Sequence, residues 1–207
     1  MGNASLSRLN LKFQLHNHGF EVHPQACPEA LLTQLQNEFP PDSPVDWDLL
    51  LHSPTVNQQA TTGHFHQLAK SVLGESCFPT HAILYNKNDT PQPWHQDNTI
   101  KVQGQGFIEP QDKSVFNKLL SLRLSLDDCT FFDGALKLCP SSHKHGPLTT
   151  QEIRGHSLRP FSSPEMKAGD ILLMHPLTIH ASAESKTGNP RRVIHIVYAT
   201  PDVFIAP

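Results

Sequence analysis

From residue 78 onward the chain is a succession of short runs that are β-branched or alternate in polarity, and no other feature restricts its fold as much. Runs over 81–86, 119–126, 135–139, 171–175 and 191–199 are long enough for strands and too short for ordinary helices. Phe132-Asp133-Gly134 reads as a hairpin turn between two of them, and Lys167-Ala168-Gly169-Asp170 as the tight turn feeding another. Before residue 78 the period is helical. Pro28 and Glu29 suit a first turn, and Leu31, Leu32, Leu35 and Phe39 share one face before Pro40-Pro41 stop the helix. Phe65, Leu68, Ala69, Val72 and Leu73 form a second apolar stripe, ended by Gly74. Helices first and strands afterward predict an antiparallel β sandwich or barrel with helices packed outside. The expected organisation is one domain over 1–207, with a helical part at about 1–77 and a β core at about 78–200.

Bulk properties exclude several classes. The formal net charge is -3 and no run of Lys and Arg occurs, so the electrostatic footprint of a nucleic-acid binder is missing. No apolar segment approaches the length of a membrane span, and residues 1–13 contain no stretch suited to a signal peptide. Cys27, Cys77, Cys129 and Cys139 lie far apart, as reduced, part-buried thiols do in a cytoplasmic protein. The expected partner is a small-molecule substrate, with no nucleic acid and no membrane; the sequence sets no oligomeric state. Two long connections, 99–117 and 146–166, read either as lids and binding loops or as surface excursions.

Histidine is abundant, at 14 of 207 residues. With that share, about 0.7 His-x-Asp pairs are expected from composition alone, so His95-x-Asp97 is not evidence by itself. Its context is. A strand-like run after Asp170 delivers His180, and two imidazoles with one carboxylate are the ligand set suited to Fe(II) in oxygenases, because they cap one face of the metal. Arg191 opens an alternating strand 11 positions later, and a guanidinium grips a carboxylate bidentately. Arg191 and Arg192 must point to opposite faces, so one of them can serve such a pocket. Ser182 could add a hydroxyl donor to the same carboxylate.

Four segments in order resemble the phytanoyl-CoA dioxygenase family of Fe(II)- and 2-oxoglutarate-dependent oxygenases. They are Trp94-His95-Gln96-Asp97, Asp133-Gly134-Ala135-Leu136, Pro140-Ser141-Ser142-His143-Lys144-His145-Gly146, and Ala168-Gly169-Asp170 leading to His180-Ala181-Ser182 and Arg191. The gap of 83 positions from Asp97 to His180 is also family-like, whereas nucleic-acid demethylases of the wider superfamily have a shorter first gap and a longer second one. The resemblance implies a mainly β fold, a double-stranded β-helix of jelly-roll or cupin-like form. It implies that His95, Asp97 and His180 hold iron, that Arg191 and Ser182 hold the distal carboxylate of 2-oxoglutarate, and that O2 is consumed. Arg123 falls where the best-known members line the cosubstrate pocket with tryptophan; it reads equally as a pocket residue or as part of a solvated strand face. Family halogenases carry a small residue in place of the metal-binding carboxylate, so Asp97 implies hydroxylation or another oxidation rather than halogenation. His143 and His145 read as turn-stabilising, His175 as a strand-end residue, and His195 shares the parity of Arg191. Two other readings stand beside this one, a cupin-like metalloenzyme without cosubstrate and a non-enzymatic ligand-binding β sandwich.

Overall fold

Strand β10 (Arg192–Ala199) organises the protein because its two faces meet different layers. Ile194, Ile196 and Tyr198 point to a buried apolar layer with Leu120, Leu122 and Leu124 of β6 (Leu119–Ser125) and Ala82 and Leu84 of β2 (Phe78–Asn86). The alternate residues, Val193, His195 and Val197, point the other way, as the two-residue period of a strand requires. In this computed structural model, which describes residues 14–86, 91–102, 106–110, 112–156 and 160–203, β10 sits inside a five-stranded antiparallel sheet. The order is β1 (Phe20–His23), β8 (Ile171–Met174), β6, β10, β2. A second sheet, β3 (Gln92–His95), β9 (His180–Ser182) and β7 (Leu136–Leu138), supplies the opposing layer, and β4 (Ile100–Val102) pairs with β5 (Gly106–Ile108) as a separate ribbon.

Helices cover the outer face of the five-stranded sheet. In α1 (Glu29–Glu38), Leu31 and Leu35 are buried on that layer, and Glu29 places a negative charge in the first turn where the helix dipole favours it. Two further helices, α2 (Leu49–His52) and α3 (Pro54–Thr61), precede α4 (His64–Leu73). Their junction is built by Ser53, whose hydroxyl accepts from the Val56 N–H at 3.0 Å, with Pro54 in the first turn. Phe65 of α4 is fully buried, and Gly74 ends that helix at φ +97°. Each such buried leucine or phenylalanine stabilises the fold by roughly 1.5–3 kcal/mol.

Three sequence expectations need amendment. Phe132-Asp133-Gly134 is not a hairpin: Phe131–Asp133 is a 3-10 turn, with Gly134 left-handed at φ +77°, that carries the chain from β6 in one sheet to β7 in the other. The Asp133 carboxylate accepts from the Thr130 N–H at 2.8 Å and from its hydroxyl, which holds the turn closed over itself. The connection 99–117 contains the β4–β5 ribbon and a 3-10 turn at Lys113–Lys118, and 146–166 contains α5 (Thr150–His156). Short elements with few apolar residues leave too faint a period to be read. The reading of residues 1–13 lies outside the described residues.

Candidate active site

His95 ends β3 and His180 begins β9, and the ladder pairs them directly, so one antiparallel contact brings both imidazoles together across 85 positions of chain. Their ring centroids are 4.1 Å apart. Asp97 lies two residues past β3, fixed by its N–H donating to the Pro176 carbonyl at 3.0 Å. Its Oδ1 stands 3.7 Å from His95 Nε2 and 3.8 Å from His180 Nε2. One ligand atom from each of the three lies within 4.8 Å of the others, the one such His, Cys, Asp or Glu cluster among the described residues.

The ring orientations suit a cation. His95 Nδ1 faces the Pro93 carbonyl at 2.7 Å and His180 Nδ1 faces the Thr178 carbonyl at 2.8 Å. A carbonyl can only accept, so both rings carry the proton on Nδ1 and present the lone pair of Nε2 inward. Asp97 Oδ2 is buried without a hydrogen-bond partner among the described residues. Two inward lone pairs beside an unsatisfied carboxylate oxygen fit a divalent metal. Burial alone would raise the Asp97 pKa, but attraction from His180, His195 and His95 wherever they carry a second proton, and from the permanent charge of Arg123, overcomes it and holds the carboxyl below its ordinary range.

Neighbouring residues position this cluster, and the clamping roles of Gln96 and Ser142 within their motifs were not legible in the sequence. The Gln96 side chain donates to the Gly146 and Leu177 carbonyls at 3.0 and 2.7 Å and accepts from the Leu148 N–H at 2.8 Å. Ser142 Oγ accepts from the Ile179 N–H at 2.8 Å, beside His180. The Pro140–Gly146 segment therefore braces β9, and His143 contributes a hydrogen bond to the His16 carbonyl at 3.1 Å. His175 Nδ1 accepts from the Leu177 N–H at 3.1 Å and shapes the same approach. Trp94 turns away from the cluster and packs on Phe161.

Arg191 and Arg192 diverge as strand alternation demands. Arg192 turns to the helical side, where its guanidinium pairs with Asp127 and donates to the Phe39 carbonyl at the end of α1. Arg191 turns inward, donating to the Gly134 carbonyl and lining a cavity with Ser182, Arg123, Ser125 and Cys129. Ser182 Oγ is buried with no hydrogen-bond partner among the described residues. Arg123 faces inward with Ser121 and Ser125, while its leucine neighbours join the helical layer, so the solvated-face alternative is excluded. Its Nη1 lies 3.3 Å from His195 Nδ1, and its guanidinium lies 5.7 Å from the centre of the Tyr85 ring. The guanidinium of Arg191 meets the backbone at Gly134. A Cβ there would stand 2.3 Å from the Ala183 carbonyl oxygen and 2.8 Å from Arg191 Nη1. Gly134→Ala, which must also hold φ +77°, is therefore expected to displace Arg191 and destabilise the fold by about 1 kcal/mol or more, measured by thermal melting; an unchanged melting temperature would contradict this placement.

Buried histidines make the fold acid-sensitive. Desolvation lowers His81 to about 4, His175 to about 3 and His180 to about 4, and pushes His195 well below its ordinary value. The unfolded chain takes up these protons near pH 6.5 while the folded protein refuses them until about pH 4, so stability is lost as pH falls through that window. Each proton contributes up to about 1.4 kcal/mol per pH unit. The melting temperature of the metal-free protein should drop by about 10 °C or more between pH 7 and pH 5, and a flat profile would contradict burial of these rings as neutral species.

Comparison with known proteins agrees with this arrangement. The model of the phytanoyl-CoA dioxygenase (PhyH) family matches residues 16–193. The chain belongs to that family. It is 27% identical over 160 residues to the iron/alpha-ketoglutarate-dependent dioxygenase ausO of Aspergillus calidoustus, covering 76% of this chain and 51% of that one. It is 31% identical over 117 residues to a phytanoyl-CoA dioxygenase of Arabidopsis thaliana, covering 50% and 37%. The chain thus spans about half or less of the length of these curated relatives. Among solved structures, the non-heme alpha ketoglutarate dependent epimerase SnoN from nogalamycin biosynthesis superposes with TM-score 0.75 at 16% identity, covering 98% of this chain and 90% of SnoN. HygX from Streptomyces hygroscopicus, with nickel and 2-oxoglutarate bound, gives TM-score 0.75 at 17% identity, covering 93% and 86%. The fold of this PhyH-family chain is accordingly their jelly roll, mainly β as the strand pattern predicts. No helix among the described residues is long and apolar enough to cross a membrane.

Proposed function

We infer that this chain is a non-haem Fe(II)- and 2-oxoglutarate-dependent dioxygenase that hydroxylates a small organic metabolite with release of succinate and CO2. One observation carries the reading. The inner surface that presents His95, Asp97 and His180 also presents Arg191 and Ser182 in an adjoining cavity. A cupin-like metalloenzyme without cosubstrate has no use for a buried guanidinium there, and a passive β sandwich has no use for either.

His95, Asp97 and His180 are the metal ligands in this reading. The backbone-tethered Nδ1–H groups of the two histidines keep their lone pairs aimed without reorganisation on binding. Iron, when bound, supplies the open coordination positions and the redox capacity that 2-oxoglutarate and O2 require. Arg191 and Ser182 hold the far carboxylate of the cosubstrate by charge-assisted hydrogen bonds, and Arg123 adds a second cation to the same cavity. Leu136, Met166 and Leu172 line the rest of it and limit water beside the bound chain. HygX, of the same fold, binds nickel and 2-oxoglutarate, which supports this ligand pair. The intact Asp97 favours hydroxylation over halogenation, and the absence of a basic cluster for a CoA phosphate favours a free metabolite. We take residues 1–207 to act as one catalytic domain, and the cytoplasm as its location, since none of the four buried cysteines is in a disulfide. The test is Fe(II)-dependent conversion of 2-oxoglutarate to succinate by the purified protein. Turnover that disappears on chelation and returns with Fe(II) is expected; turnover indifferent to iron would contradict the reading.

A further inference from the structure

A second, larger cavity has Asp97 in its lining, and one of its walls is a continuous arc of five rings. Trp47 meets Tyr85 with centroids 5.9 Å apart, Tyr85 meets His195 at 6.0 Å, His195 meets His81 at 6.5 Å, and His81 meets Phe107 at 5.2 Å. Strand parity builds the arc. His81 and Tyr85 come from the inner face of β2, His195 from the inner face of β10, and Phe107 from the β4–β5 ribbon; Trp47 and Phe107 are half-exposed at the mouth.

The polar groups in this cavity are few, and their state is fixed by geometry. A guanidinium can only donate, so the 3.3 Å contact from Arg123 makes His195 Nδ1 the acceptor and leaves the ring proton on Nε2. That Nε2–H is buried with no partner among the described residues, in a side chain that is 4% exposed. Ser121 Oγ, on the same face of β6 as Arg123, is likewise buried and unsatisfied among the described residues. Among the described residues no Lys or Arg lines the cavity, and the one carboxylate that does is Asp97, a metal ligand in the reading above. The nearby Lys101 ammonium is paired with Asp48.

An anion entering here would be desolvated beside a metal whose charge Asp97 and the dianionic cosubstrate already balance in the reading above, with Arg123 engaged behind the His195 ring, and an ammonium would face an imidazole N–H of the wrong polarity. An uncharged acceptor oxygen, by contrast, relieves a buried donor whose isolation costs about 1–3 kcal/mol. Flat or saturated rings are what a curved aromatic wall grips best. We propose that this cavity takes an uncharged, ring-bearing small molecule, one ring face against the five-ring wall and an oxygen acceptor on the Nε2–H of His195. Arg123 is then a positioning residue for the substrate through the tautomer it imposes. The proposal rests on the dioxygenase reading and names the substrate class of that site.

The test uses three matched probes, cyclohexanone, cyclohexanecarboxylate and cyclohexylammonium. Each is titrated by calorimetry into the anaerobic protein loaded with Fe(II) and saturating 2-oxoglutarate, which occupies the Arg191 cavity. Cyclohexanone is expected to bind at least about tenfold tighter than either ion. His195→Ala should lose about tenfold of that affinity, and His195→Gln, whose amide N–H reaches where Nε2–H stood, should stay within about threefold. Equal binding of the three probes, preference for an ion, no cyclohexanone binding, or an undiminished His195→Ala variant each overturns the proposal. The visible band of the Fe(II)–2-oxoglutarate protein is recorded first; its absence counts against the dioxygenase reading instead, which keeps the two failures apart.

Discussion

His180→Ala is expected to lower Fe(II)-dependent succinate formation at least about a thousandfold and to weaken iron binding in parallel. Loss of a group that merely orients a metal ligand costs about 10–100-fold, and His180 is argued here to be a ligand itself. It is also the most buried of the three, at 1% side-chain exposure, so no water-exposed group can swing into its place. Its removal should leave the fold standing, because β9 is held between β3 and β7 by backbone pairing and by the Ser142 hydrogen bond to the Ile179 N–H. Circular dichroism separates the two effects. A folded variant that keeps turnover within about tenfold of the parent protein would remove His180 from the metal site.

Arg191→Met should raise the 2-oxoglutarate concentration needed for half-maximal turnover by about 100-fold or more, with Fe(II) affinity unchanged. A bidentate, charge-assisted pair contributes two hydrogen bonds of about 1.5–3 kcal/mol each, and Met fills much of the same volume without donors. Arg192→Met is the control that the strand alternation provides. It faces the opposite layer and leaves the part-buried Asp127 beside α1 without its cation, so it should cost about 2 kcal/mol or more of stability and leave cosubstrate affinity intact. If the two variants exchanged phenotypes, the assignment of the inward face would be wrong.

These outcomes turn on residues whose roles were legible in the sequence to different degrees. The α1 and α4 stripes and the alternation of β6 and β10 were readable because each buries a continuous apolar face, and periodicity records burial. By the same logic Arg191 and Arg192 had to diverge. The direction of Arg123 was not readable, since a Ser-Arg-Ser face is polar whether water or a pocket lies beside it; the opposing sheet decides. The Asp133-Gly134 turn suggested a hairpin because turn chemistry is local, whereas which sheet the next strand joins is set by long-range pairing. Strands β3 and β9, the carriers of His95 and His180, have four and three residues, too few to show a period. The clamps Gln96 and Ser142 and the ring arc from Trp47 to Phe107 depend on contacts between distant segments, which no spacing along one chain encodes.

The most direct test of the central claim is anaerobic addition of Fe(II) and then 2-oxoglutarate, followed by visible absorption. The wild-type protein is predicted to develop a weak charge-transfer band that needs both additions, and an Asp97→Ala, His180→Ala double variant to develop none. A band of undiminished strength in the double variant would place the metal elsewhere and contradict the site described here.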